Sequence, residues 1–297
     1  MKNQKITGVI SALVTPFDGN DKVNETVVKE LVAYLLSKKA EGFYLCGTTG
    51  QGLWMNSSER KRVAETTIDA VNGAVPVIVH VGCVAPGEAA GLAAHAAANG
   101  ASAISSIIPP TYTTLSSIVS YFNMLSVAAP DMQLFPYFMG ATLPPMEIME
   151  GLKDVPTLAG TKYTGPNMYE MTSILAMGNE PWSVFSGMDE QCIFAAMCGT
   201  DGAIGSSVNI MTGLYKEIRR LVATDNQGTA YKLQQKANRV ITILKYYNYP
   251  AALRAALGFL GFECGDPRLP AVAFDKSKLE NMKSELMEAG FEEITSM

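Results

Sequence analysis

Lysine is depleted in β-strands, yet Lys162 closes the short run Leu158-Ala159-Gly160-Thr161-Lys162. A period of two places Leu158, Gly160 and Lys162 on one face. If that face lines an interior, the amine is partly desolvated and its pKa falls. That is the state a Schiff-base nucleophile needs, and Gly160 would leave room beside it for a ligand. A lysine just past the strand end, reaching solvent, is the plainer alternative, and spacing alone favours it. Gly47-Thr48-Thr49-Gly50 brings two hydroxyls and closely spaced main-chain N–H groups into one turn. Such a turn is a nest for a small carboxylate, or an ordinary turn into a helix. Tyr137 ends another strand-like run and offers either a phenolic acid/base or a buried aromatic. Asp189 and Glu190 precede a helix and by themselves read as its cap, and Ser206 can likewise be a residue at a helix start. These candidates gain weight together, because all of them fall at the ends of predicted strands.

Other chemistries are disfavoured. The five cysteines, Cys46, Cys83, Cys192, Cys198 and Cys264, are odd in number and form no CxxC. They read as reduced thiols in a cytoplasmic protein. Only His80 and His95 are present, with no HExxH or Cys/His cluster, so neither a metal site nor a histidine-based triad is expected. His80, in Val77-Ile78-Val79-His80-Val81, reads as a hydrogen-bonded strand histidine, and His95 as an ordinary residue of an Ala-rich helix. A net charge of −5 leaves no broad basic face for nucleic acid. The start, Met1 to Lys5, is polar and shows no signal peptide, and no run of apolar residues is long enough to span a membrane. Charged residues make up 17% against 48% hydrophobic. A typical domain carries about 25% charged residues, so part of this surface is expected to be covered by other subunits.

The candidates are carried by a strand and helix that alternate. Strands are predicted at Gly8–Thr15, Gly42–Cys46, Pro76–Val81, Ala103–Ile108, Gln133–Tyr137, Leu158–Lys162, Trp182–Ser186 and Gly202–Gly205. Helical spacing fills the intervals, as with Val27, Val28, Leu31, Val32, Leu35 and Leu36 between Asn24 and Lys39. Asn56 and Glu59 form a capping box for the second helix. Eight such units fit an α/β fold of the (β/α)8 TIM-barrel type over residues 1–223. A doubly wound sheet would usually announce itself by GxGxxG after the first strand, and none is present. Residues 224–297 read as about three extra C-terminal helices, Asn226–Tyr246, Tyr249–Leu260 and Lys276–Ala289, packed on the barrel as part of one structural domain. A turn at Gly265-Asp266-Pro267-Arg268-Leu269-Pro270 separates the last two.

These residues carry a family signature. Ala12-Leu13-Val14-Thr15-Pro16-Phe17, Gly47-Thr48-Thr49-Gly50, Tyr137, Gly160-Thr161-Lys162 and Gly199-Thr200-Asp201-Gly202-Ala203-Ile204-Gly205-Ser206 resemble the dihydrodipicolinate synthase/N-acetylneuraminate lyase family in order and spacing. The resemblance covers essentially the whole chain. It implies pyruvate held as a Schiff base on Lys162, and Tyr137 as the acid/base. It implies that Thr48 and Thr49 hold the pyruvate carboxylate and relay protons, with Tyr112 assisting from a neighbouring subunit of a homotetramer. No metal or organic cofactor is implied.

The lyase branch fits best. Phe185-Ser186-Gly187-Met188-Asp189-Glu190 is similar to the lyase segment whose Gly187, Asp189 and Glu190 would bind the polyol end of the sugar, and Thr164 and Ser206 match further sugar-contacting positions. Val79-His80-Val81-Gly82 also looks like that branch. The synthase branch expects an arginine where this chain has Thr142. The implied reaction is reversible cleavage of N-acetylneuraminate to N-acetylmannosamine and pyruvate. Cleavage of another 2-keto-3-deoxy sugar acid, or a non-catalytic ligand-binding role, are the alternatives. Two departures bear on this. Phe138-Met139-Gly140 replaces the family's Asn-x-Pro after the tyrosine, which bears on the identity of the sugar. Gln51 replaces a glutamate after the Gly-Thr-Thr-Gly turn, which bears on the relay or the loop packing.

Overall fold

Apolar runs of four to six residues are too short for helices and become strands, while the amphipathic stretches between them become helices that cover the sheet. The computed structural model describes residues 4–178 and 181–297; Met1 to Asn3 of the polar start lie outside them. The strands are β1 (Gly8–Ala12), β2 (Gly42–Leu45), β3 (Val77–His80), β4 (Ala103–Ile107), β5 (Gln133–Phe138), β6 (Gly160–Tyr163), β7 (Ser183–Ser186) and β8 (Gly202–Gly205). They pair in chain order as a closed parallel barrel, with β8 returning to β1. The covering helices are α1 (Glu25–Ser37), α2 (Ser57–Val71), α3 (Pro86–Ala98), α4 (Leu115–Ala128), α5 (Pro145–Leu152), α6 (Met168–Leu175), α7 (Cys192–Met197) and α8 (Val208–Ala223). This is the TIM barrel expected from the sequence.

Helix starts follow the side chains. Asn24 caps α1 by accepting from Val27 N–H, and Asn56 with Glu59 closes the full capping box of α2. Proline opens α3 and α5, where its missing N–H costs nothing.

The C-terminal extension has α9 (Gln227–Tyr246), α10 (Tyr249–Phe259) and α11 (Leu279–Glu288). A fourth short helix, α12 (Phe291–Ser296), goes beyond the three expected. It packs on α8, where Gly213 lets the main chain of Met297 approach the helix. Among the described residues, no helix is long and apolar enough to cross a membrane.

Two apolar layers result. Ile10, Ala12, Tyr44, Ile78, Ala103, Phe135, Ala159, Phe185 and Ile204 fill the barrel, and a larger cluster lies between strands and helices. Strand β6 corrects the period-two reading. Leu158 bridges to Leu134, and four residues later Lys162 pairs with Tyr137, three residues beyond Leu134. The extra residue is a β-bulge, which reverses the direction of every later side chain. So Leu158 packs in the outer layer and Ala159 in the inner one, yet Lys162 still points inward. Gly160 occupies the irregularity at φ +133°, and a Cβ there would collide with the Ser183 carbonyl of β7. Glycine at 160 therefore admits the neighbouring strand and does not leave space for a ligand.

Candidate active site

The barrel's C-terminal rim collects the polar candidates, as (β/α)8 architecture leads one to expect. Lys162 is 4% exposed. Its Nζ lies 4.2 Å from the ring centroid of Tyr137 and 4.3 Å from that of Tyr44. Register pairing sets Tyr137 directly beside Lys162 on β5. Burial pulls the amine's pKa below its ordinary 10.5, against the smaller opposing pull of Tyr137 and Asp189. The solvent-facing alternative for this lysine is therefore not what the fold builds.

Tyr44 was not among the candidates. Within Gly42-Phe43-Tyr44-Leu45 it looks like one more core aromatic, and only barrel closure brings it to the amine. Its hydroxyl lies 2.9 Å from Ser105 Oγ, which donates to the Phe135 carbonyl at 2.7 Å. Burial holds its pKa well above the usual 10, so it stays a neutral wall.

His80 is the hydrogen-bonded strand histidine expected. Nε2 accepts from Ile107 N–H at 3.0 Å, which leaves Nδ1 as the protonated nitrogen. Burial, then the Arg60 and Lys162 charges, push its pKa well below 6.5, so it is neutral. Arg60 was also missed. It is 3% exposed and donates to the carbonyls of Gly82 (2.9 Å) and His80 (2.6 Å), fastening α2 to the end of β3. His95 pairs with Glu65 at 2.7 Å, away from this cluster.

The turn after β2 is bracketed by Cys46 (φ +56°) and Gln51 (φ +53°), both left-handed. Gln51 and Gly52 N–H bond to the carbonyls of Thr48 and Gly47. Thr48 and Thr49 stay half-buried between them, and their N–H groups have no acceptor among the described residues. That is the arrangement an anion nest requires. Gln51 itself is 4% exposed and serves loop packing. Its Oε1 accepts from Arg254 Nη2 and Arg268 N–H, each at 3.0 Å, and its Nε2 donates to the Arg268 carbonyl at 2.9 Å.

On the opposite side, Gly187 lets the chain after β7 lie against Thr164 and the Lys162 side chain, where a Cβ would clash. Thr164 Oγ1 is buried with no hydrogen-bond partner among the described residues. Asp189, 6% exposed, accepts from Ser207 N–H at 2.8 Å and Ser207 Oγ at 2.6 Å. Burial raises its pKa and the Ser207 bonds pull it back. Neighbouring Glu190 turns the other way, its carboxylate 2.7 Å from Lys245 on α9. Ser206 Oγ lies 2.8 Å from the Tyr249 hydroxyl. Tyr112 stands apart from the cluster. Its hydroxyl donates to the Val84 carbonyl at 3.4 Å and its ring packs on Tyr121.

A closed eight-stranded barrel with a desolvated lysine near the end of its sixth strand and main-chain N–H groups left free in the turn after β2 has the design of a small-molecule enzyme. The model of the Dihydrodipicolinate synthetase family matches residues 5–289, and the chain belongs to that family. Among curated relatives, an N-acetylneuraminate lyase of Rhizobium meliloti (strain 1021) is 30% identical, covering 94% of each chain. One of Danio rerio is 28% identical, covering 93% of this chain and 94% of its own. The solved N-acetylneuraminate lyase of Proteus mirabilis superposes with a TM-score of 0.92 at 27% identity, over 97% of this chain and all of the other.

Proposed function

We propose that this lyase is a class I aldolase that cleaves N-acetylneuraminate reversibly to N-acetylmannosamine and pyruvate. The observation that carries the reading is the Lys162 amine, held out of water between the rings of Tyr137 and Tyr44. A lysine whose proton is loosened by burial can attack the keto carbon. The carbinolamine loses water to give an iminium, which accepts the electron pair released when the C3–C4 bond breaks. Tyr137 gives its phenolic proton to the hydroxyl that leaves as that water, and the phenolate then takes the proton of the C4 hydroxyl as the aldehyde departs. Protonation of the enamine at C3 and hydrolysis then release pyruvate and restore the amine. The Thr48-Thr49 nest holds the substrate carboxylate, and Thr48 joins the proton relay. Thr164, Gly187, Asp189 and Ser206 border the path of the polyol, and Glu190 reaches it by leaving Lys245.

Borohydride added with pyruvate should reduce the iminium to a stable secondary amine on Lys162, visible by peptide mass. An unmodified lysine defeats the Schiff-base mechanism. Phe138-Met139-Gly140 borders the substrate and favours a second reading, an aldolase for another 2-keto-3-deoxy sugar acid. Pyruvate release from 2-keto-3-deoxygluconate, with none from N-acetylneuraminate, would select it. We also infer a homotetramer in which Tyr112 assists the relay of a neighbouring subunit. A fully active monomer by light scattering would remove that role. The five free cysteines suit a cytoplasmic location.

A further inference from the structure

We propose that Met139 is a positioning residue for the acid/base phenol: its thioether holds the Tyr137 hydroxyl in the free enzyme and yields it to the substrate. Strand parity puts Phe135, Tyr137 and Met139 on the inner face, whereas Phe138 packs in the outer layer. Gly140, at φ +69°, turns the chain immediately afterwards and so keeps Met139 at the rim. Tyr137 is 3% exposed, so its hydroxyl needs a partner inside the protein. Its hydroxyl donates to Met139 Sδ, 3.1 Å away, while the Lys162 amine stands against its ring. Thr48 Oγ1 lies 3.8 Å from the same sulfur.

The thioether therefore stands between the two hydroxyls that the proposed relay must connect. Sulfur in a thioether is a weak acceptor and carries no proton of its own. It can fix the direction of the phenol O–H, but it cannot pass a proton from one hydroxyl to the other. A relay between Thr48 and Tyr137 is thus interrupted until something displaces the side chain. Methionine suits that exchange. It is unbranched and readily changes rotamer, and at 37% exposure Met139 has solvent to move into. A substrate hydroxyl or carboxylate is a stronger acceptor than sulfur and takes over the phenol's hydrogen bond. The side chain thus keeps the phenol organised before binding and out of competition after it.

The inference rests on the aldolase reading, so the test separates the two. Met139→Leu keeps the volume and removes the acceptor; Met139→Gln supplies an oxygen at similar reach. Wild type and both variants should trap pyruvate on Lys162 with borohydride. Failure of trapping in the wild type sinks both the aldolase reading and this one. With trapping intact, Met139→Leu should lower KM roughly three- to tenfold, the scale of one modest hydrogen bond that substrate no longer has to displace, and leave kcat nearly unchanged. Met139→Gln should bring KM back to or above the wild-type value. In a Tyr137→Phe background, Met139→Leu should have no further effect on kcat/KM. An unchanged or raised KM in Met139→Leu, no return of KM with glutamine, or additive effects in the double variant each overturn the positioning role and leave the aldolase standing.

Discussion

A lysine amine that faces two aromatic rings inside a barrel holds its proton less firmly than one in water, and this has a consequence for stability. The folded-state pKa of Lys162 lies below 10.5, so between the two values the unfolded chain binds more protons than the native one. Stability contributed at this site therefore rises with pH through that window, and the cost is greatest below the lowered pKa. Lys162→Met should melt a few degrees above wild type near pH ~7, with the gap closing toward pH ~10. A gap independent of pH would mean that the amine is not strained by burial. At the same scale, Tyr137→Phe should lower kcat by roughly 10²–10⁴, the range of one acid/base group, while pyruvate trapping on Lys162 persists. Equal losses in turnover and in trapping would take Tyr137 out of proton transfer. Lys162 and Tyr137 were legible in the sequence because each ends a predicted strand. Tyr44 and Met139 were not, since an apolar run and a loop methionine carry no mark of what they will face.

Among the elements, β6 departs most from its simple pattern. Eight apolar runs separated by helical spacing were enough to predict the barrel, and helix starts followed from Asn24, Asn56 and the prolines. The bulge at Ala159-Gly160 left no such trace. Leu158, Gly160 and Lys162 alternate smoothly on paper, and only pairing with Leu134 and Tyr137 reveals the additional residue. The inward lysine, the less favoured of the two readings on spacing, was thus drawn from a face that the bulge removes. Gly160→Ala should cost at least about 3 kcal/mol, since it combines a positive φ with a collision against β7 main chain. Urea unfolding would measure it; a change below about 1 kcal/mol would show that β6 can relax without its glycine. The C-terminal helices were legible as helices, but their reach was not. Gln234 of α9, 1% exposed, donates to the Asp189 carbonyl at 3.0 Å and accepts from Ile193 N–H at 3.0 Å. A helix outside the barrel thereby sets the rim segment that carries Asp189.

Across the whole molecule, the segment expected to be a simple turn, Gly265 to Pro270, folds back onto the active-site face. Arg268 there meets Glu59 at 2.7 Å and Asp21 at 2.8 Å and lies over the Phe17 ring. Arg254, 5% exposed, donates to the carbonyls of Thr15 (2.8 Å) and Cys264 (2.6 Å), and burial lowers its pKa to about 10. Gln51 joins both arginines to the turn after β2. Gln51→Ala should cost about 2–3 kcal/mol by leaving buried donors unmatched, seen as a lower urea midpoint at constant slope. An unchanged midpoint would show that water replaces the amide at no cost. The clamp also orders events during synthesis. The strands of the barrel leave the ribosome well before Arg254 and Arg268, so the nascent barrel carries its lysine while the turn after β2 still lacks its outer support. The rim near Lys162 is finished by residues made long after the lysine itself, and a chain stalled after α8 would hold that amine without a completed rim around it.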